Sequence, residues 1–161
     1  MNLETDISLR YWSSEHLSAV NEANSFAELR RIAMEHLQRM PQPIAQVCGP
    51  ISTGGFGIEK NLEIFEVTIR KLMSQGKTIF NQIPFETPMK ELNERSPLNG
   101  MRVNQNVLDD FYLDIFKSEL IYKLYFVHGW ETSYGARWER RKARELGMRI
   151  NYLPEGFHLI Q

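Results

Sequence analysis

Ile44-Ala45-Gln46-Val47-Cys48-Gly49-Pro50-Ile51-Ser52-Thr53-Gly54-Gly55-Phe56-Gly57 is the stretch that decides the fold. A short apolar run meets Gly-Pro and a glycine-rich loop, the pattern of a buried strand that delivers the chain into a turn. Ile58, Leu62, Phe65, Ile69 and Leu72 then recur at helical spacing, and Gly76 closes that helix. Thr78-Ile79-Phe80 reads as the next strand. A Pro-containing loop is expected from Asn81 to about Gly100, and a helix over Asn106–Leu120. Leu124-Tyr125-Phe126-Val127 is a buried strand, and Thr132 or Ser133 caps a helix that runs to Leu146 and stops at Gly147. Arg149 to Leu153 is the last strand. Strands alternating with helices predict a three-layer α/β fold with a mostly parallel, flavodoxin/Rossmann-like sheet and helices on both faces.

Upstream of this unit the texture changes. Ser25 and Glu28 form an S-x-x-E capping box, after which Phe26, Leu29, Ala33, Leu37 and Met40 follow at helical spacing until Pro41 and Pro43. A shorter helix is expected over Ser14–Ala23. Residues 1–43 therefore read as an N-terminal helical addition, packed on the main domain or on a partner subunit, and residues 44–161 as the α/β domain.

Composition narrows the function classes. Lysine and arginine number 19 and aspartate and glutamate 20 in 161 residues, a balance that argues against broad nucleic-acid binding. Cys48 is the single cysteine, which leaves no intramolecular disulfide and no zinc-type cluster. The first ten residues lack the apolar core of a secretory signal, and no apolar run approaches the roughly 18 residues of a membrane span. A soluble cytoplasmic protein that uses neither membrane nor metal is the expectation.

Ligands of parallel sheets bind beyond the carboxyl ends of the strands, and two loops fall there. In the first, the amides around Gly49, Pro50 and Gly54 and the hydroxyls of Ser52 and Thr53 precede a helix N-terminus, where a phosphate or sugar hydroxyl can be held. It is neither a Walker A loop nor a dinucleotide fingerprint, since Gly55 and Gly57 are followed by Lys60. A plain flexible turn is the competing reading. The second loop, Gly129-Trp130-Glu131-Thr132-Ser133-Tyr134-Gly135-Ala136, leads to Glu139. Glu139 shares the inward stripe of its helix with Ala136, Ala143 and Leu146, whereas the surrounding arginines lie mostly off it. A carboxylate there is costly unless it is used or paired. Glu139 is expected at the mouth of a pocket shared with the first loop; the alternative is a structural strut paired with an arginine. Asp114, in the helix before the buried strand, is a third candidate against the reading of an exposed helix aspartate.

Taken in order, these residues resemble the nucleoside 2-deoxyribosyltransferase-like superfamily, and are also similar to the 2′-deoxynucleoside 5′-phosphate N-glycosidases. The resemblance rests on Cys48-Gly49-Pro50, on Asn61 and Phe65 early in the next helix, on Asp114-Ile115, on Gly129 to Glu139 and on Ala143 to Gly147, and covers roughly Ile44 to Leu153. It implies attack by Glu139 on the anomeric carbon of a nucleoside or nucleotide, a glycosyl-enzyme, and transfer of the sugar to water or another base. It further implies Asp114 as acid or orienting group and Gly49, Pro50, Ser52, Thr53, Gly54, Asn61, Trp130, Ser133 and Gly135 around the substrate. Trp130, Tyr134, Phe56 and Phe85 can wall the base. No cofactor is implied, and a homo-oligomer is. Ser133 stands six residues before Glu139, where the nucleoside transferases carry an aspartate, and this departure favours a 5′-phosphate. The first loop lacks the arginine that the glycosidases place beside that phosphate. A nucleotide-binding module without turnover, and a structural or oligomerisation protein, are the competing functions.

Overall fold

The computed structural model describes residues 6–95 and 107–160. β1 (Ile44–Cys48) lies inside a four-stranded, all-parallel sheet, between β2 (Thr78–Ile79) and β3 (Ile121–Phe126), with β4 (Arg149–Tyr152) beyond β3. β1 pairs with β3 from Ala45 opposite Lys123 to Cys48 opposite Phe126, and β3 with β4 from Lys123 opposite Arg149 to Phe126 opposite Tyr152. The chain leaves β1 toward β2 and later returns to the other side of β1. That reversal opens a crevice above the carboxyl ends of β1 and β3.

Every residue of β1 is buried, as expected for a strand covered on both faces. Strand alternation sends Ala45 and Val47 to one face, where they meet Phe65, Ile69 and Leu72 of α3 (Ile58–Ser74) together with Tyr125. Ile44 and Cys48 go to the other face, with Leu124 and Phe126, beneath a larger core. The helices over that face are α1 (Ser14–Glu22), α2 (Phe26–Arg39), α4 (Glu86–Glu94), α5 (Leu113–Lys117) and α6 (Tyr134–Leu146). The expected three-layer α/β architecture is thus present.

The N-terminal helices form as the caps dictate. Ser13 Oγ accepts from the His16 amide at 3.0 Å and Ser25 Oγ from the Glu28 amide at 3.1 Å, while Glu28 reaches back to the Asn24 amide. Leu29, Ile32, Ala33 and Leu37 of α2 join the same core as β3 and α6, and the Trp12 indole donates to the Asn81 carbonyl at 3.0 Å. Residues 6–43 therefore pack on the sheet domain.

Three expectations are corrected. The loop expected from Asn81 contains a 3-10 turn, Ile83–Phe85, and then α4; Pro84 and Pro88 are tolerated because each lies in a first turn, where a backbone N–H has no partner. The remainder of that loop, up to Gly100, extends beyond the described residues, as does Asn106. Among the described residues, the helix expected over Asn106–Leu120 contains a π-helical turn, Leu108–Tyr112, and ends at Lys117. On α6, Leu146 is 41% exposed, and Trp138 is the large side chain that enters the core instead.

Candidate functional site

Glu139 sits on the second turn of α6, and its side chain points at β1 across the sheet face. Gln46 Nε2 donates to Glu139 Oε2 at 3.0 Å, and Cys48 Sγ donates to the same oxygen at 3.1 Å. Glu139 is 8% exposed, and among the described residues Oε1 has no hydrogen-bond partner. One oxygen is held and the other is free. The period of α6 puts Glu139 here: Ala136 and Ala143, both fully buried, bracket it and bring the helix close to the sheet.

A second carboxylate, not anticipated from the sequence, belongs to the same neighbourhood. Glu86 opens α4 immediately beyond the exit of β2, half-buried and without an ion pair or hydrogen bond among the described residues. Burial pushes its carboxyl up to about 7. Burial pushes Glu139 up to about 8, with the charge of Glu86 adding to the rise and the hydrogen bonds from Cys48 and Gln46 opposing it. The Tyr112 phenol, from the π-helical turn, is raised first by burial and then by the charges of Glu86, Glu139 and Cys48. Burial and the Glu139 charge hold the Cys48 thiol protonated. The signal in the sequence was a glutamate just past a strand exit, behind Phe85.

The two loops above the sheet are bound to one another. Thr53 Oγ1 accepts from the Tyr134 amide at 3.2 Å, and Thr132 Oγ1 accepts from the Gly55 amide at 2.9 Å. Gly54, with φ of 70°, passes so close to the Thr132 backbone that a Cβ would collide with it. Asn61 clamps the first loop from α3: its Nδ2 donates to the Ile51 and Gly54 carbonyls and its Oδ1 accepts from the Phe56 amide. Gly49 is packed against Val127, Ser52 is exposed, and Gly135 lies near Leu108 and Ser133.

Several expected site residues are placed elsewhere. Asp114 is exposed and ion-paired with Arg30 of α2 at 3.4 Å, and none of its contacts is with Glu139. Ser133 is buried and caps α6, accepting from the Ala136 amide at 3.2 Å. With the Tyr134 amide also occupied, that helix start offers less to a phosphate than expected. Trp130 stacks on Tyr152, and Arg140 lies over its ring at 5.3 Å. Phe85 is fully buried among Trp12, Phe80 and Phe111, a core residue and no wall for a base.

A cavity of about 670 Å³ lies beside the first loop, over the α3 face, lined by Pro50, Phe56, Asn61, Phe65, Leu153 and Phe157 among others. Its volume suits a nucleoside-sized ligand. Glu139 is not in its lining, which corrects the expectation of a pocket shared between Glu139 and the first loop. The cavity lies on the α3 face of the sheet and Glu139 on the opposite face. The chain matches no family model, no curated protein and no solved structure, and its chemistry is read from its own residues.

Proposed function

We propose that the chain cleaves or transfers at the N-glycosidic bond of a (deoxy)nucleoside or its 5′-monophosphate, with Glu139 as the nucleophile. The observation that carries this reading is the asymmetric carboxylate: Oε2 is fixed by Gln46 and Cys48, and Oε1 is left without a partner at the carboxyl ends of parallel strands. An unpartnered oxygen on a largely buried carboxylate, its twin held, is suited to attack an anomeric carbon that gains positive charge, because low polarity strengthens that attraction. Oε1 forms the bond to C1′, the base departs with the electrons of the C1′–N bond, and water or a second base then displaces the carboxylate. The chain would belong with hydrolases or transferases of nucleotide metabolism.

The alternative, a nucleotide-binding module without turnover, is favoured by one observation: the large cavity is lined without Glu139. The test is a panel of nucleosides and 5′-monophosphates with chromatography for free base. Release by the wild type and at least a 10³-fold loss in Glu139→Gln is expected. Ligand-induced thermal stabilisation, equal in both proteins and without base release, points to the binding module.

A further inference from the structure

Cleaving an N-glycosidic bond needs a proton for the departing base as well as a nucleophile, and Asp114, turned to Arg30 on the surface, is not positioned to give it. We infer that Glu86 is the second catalytic carboxylate: it pairs with Glu139 over the buried Tyr112 phenol and donates the proton to the leaving base. This inference rests on the proposed glycosidic reaction and adds a residue to it.

The placement comes from neighbouring strand exits. β1 supplies Gln46 and Cys48 to Glu139, and β2, hydrogen-bonded beside β1, leads through Ile83–Phe85 directly into Glu86. Gln82 stitches that exit to β1 by donating to the Val47 carbonyl at 2.9 Å. Phe85 packs on Phe111 with ring centroids 4.9 Å apart, and Phe111 on Tyr112 at 4.8 Å, which sets the start of α4 beside the π-helical turn, where the charge of Glu86 is felt by both Tyr112 and Glu139. The titratable groups around the pair are Cys48 from β1 and Tyr112 from that turn; among the described residues no cation pairs with either carboxylate.

A second observation points to a ligand here. Gln46 is fully buried, and its amide nitrogen is bonded to Glu139, so its Oε1 lies beside the same carboxylate; that oxygen has no partner. Buried Gln82 likewise has an unpartnered Oε1. Unmet buried acceptors next to two acids call for hydrogen-bond donors, such as sugar hydroxyls or the N–H groups of a base.

Burial raises both carboxyls, so before substrate arrives the pair shares a proton. Positive charge developing at C1′ beside Oε1 favours the Glu139 anion, and the one proton of the pair is then on Glu86. Oε1 bonds to C1′, the C1′–N electron pair goes to the base, and the base takes the Glu86 proton. An incoming water returns a proton to Glu86 as it attacks C1′, and the electrons of the ester bond return to Glu139.

The experiment compares two leaving groups in the wild type, Glu86→Gln and Glu139→Gln. An ordinary purine nucleoside needs protonation of its base; an N7-methylated purine nucleoside does not, because its base already carries the positive charge. In a single turnover, which reads the glycosylation step alone, Glu86→Gln should release base about 10²–10⁴-fold more slowly from the first substrate but within about threefold of the wild-type rate from the second, while multiple turnover slows on both because the attacking water has lost its general base. Glu139→Gln should lose both. Equal retention or equal loss of the two substrates in a single turnover of Glu86→Gln overturns the role of Glu86 and leaves that of Glu139 standing. No release by the wild type from either substrate overturns the glycosidic reading itself, and the acid assignment with it. Independently of turnover, a ¹³C carboxyl titration of the protein should show the Glu139 midpoint falling in Glu86→Gln. An unmoved midpoint overturns the pairing.

Discussion

Glu139 works against the stability of the chain that holds it. Burial raises its carboxyl from an ordinary 4.5 to about 8. Between those values the folded chain binds a proton that the unfolded chain has released. The associated stability is therefore complete below about pH 4.5 and is lost as pH rises through about 8, at roughly 1.4 kcal/mol per pH unit. Glu139→Gln keeps the shape and removes the ionisation, so it should raise the melting temperature, and by more at about pH 8.5 than at about pH 5. Thermal melts of both proteins at the two pH values check this; an equal shift at both would mean that Glu139 is not titrating as a buried acid. The substitution expected to abolish the proposed turnover is thus also expected to stabilise the fold, as for a residue kept for chemistry at a cost in stability.

At the scale of elements, the loop between β1 and α3 is clamped to its own helix by one side chain, besides its two bonds to the second loop. Asn61 makes three hydrogen bonds to backbone groups of residues 51–56 and is itself buried. Asn61→Ala leaves those groups without their partner and should destabilise the chain by about 1–3 kcal/mol, measured by urea unfolding; a change below about 0.5 kcal/mol would show that water replaces the clamp. The elements that could be read from the sequence are those with local signals. β1 is a run buried on both faces, α3 carries a clean apolar stripe ended by Gly76, and Ser133 and Gly147 bracket α6. α4 was missed because its prolines resemble loop punctuation unless their place in a first turn is known. The site divides in the same way. Glu139 announced itself as a charge on an apolar stripe. Its partners Gln46 and Cys48 lie more than 90 residues away and are brought to it only by the register of α6 over β1. Glu86 carried no periodic signal, and the hydroxyl of Ser133, read as a phosphate contact, is used by its own helix.

For the molecule as a whole, the N-terminal helices and the sheet share one core, and a histidine stands at the seam. His36 stacks on Trp12 with centroids 4.1 Å apart and touches Phe80 and His16. Burial, with the charges of His16 and Arg39, lowers its pKa from 6.5 to about 4. The unfolded chain binds this proton first, so stability is lost as pH falls from about 6.5 toward 4. His36→Phe keeps a ring against Trp12 and removes the titration; its midpoint of acid unfolding, followed by tryptophan fluorescence, should move to lower pH. An unchanged midpoint would place the acid-sensitive step elsewhere. The same shared core has a consequence for synthesis on the ribosome. Leu29, Ile32 and Leu37 emerge early, yet the surfaces that cover them, the turn at Leu108–Tyr112, α5 and β3, come some 70 to 90 residues later. At about 5–20 residues per second the nascent chain carries an uncovered apolar helix for on the order of 10 s. Over that interval α2 shows solvent the kind of apolar face that chaperones hold, before it becomes part of the core.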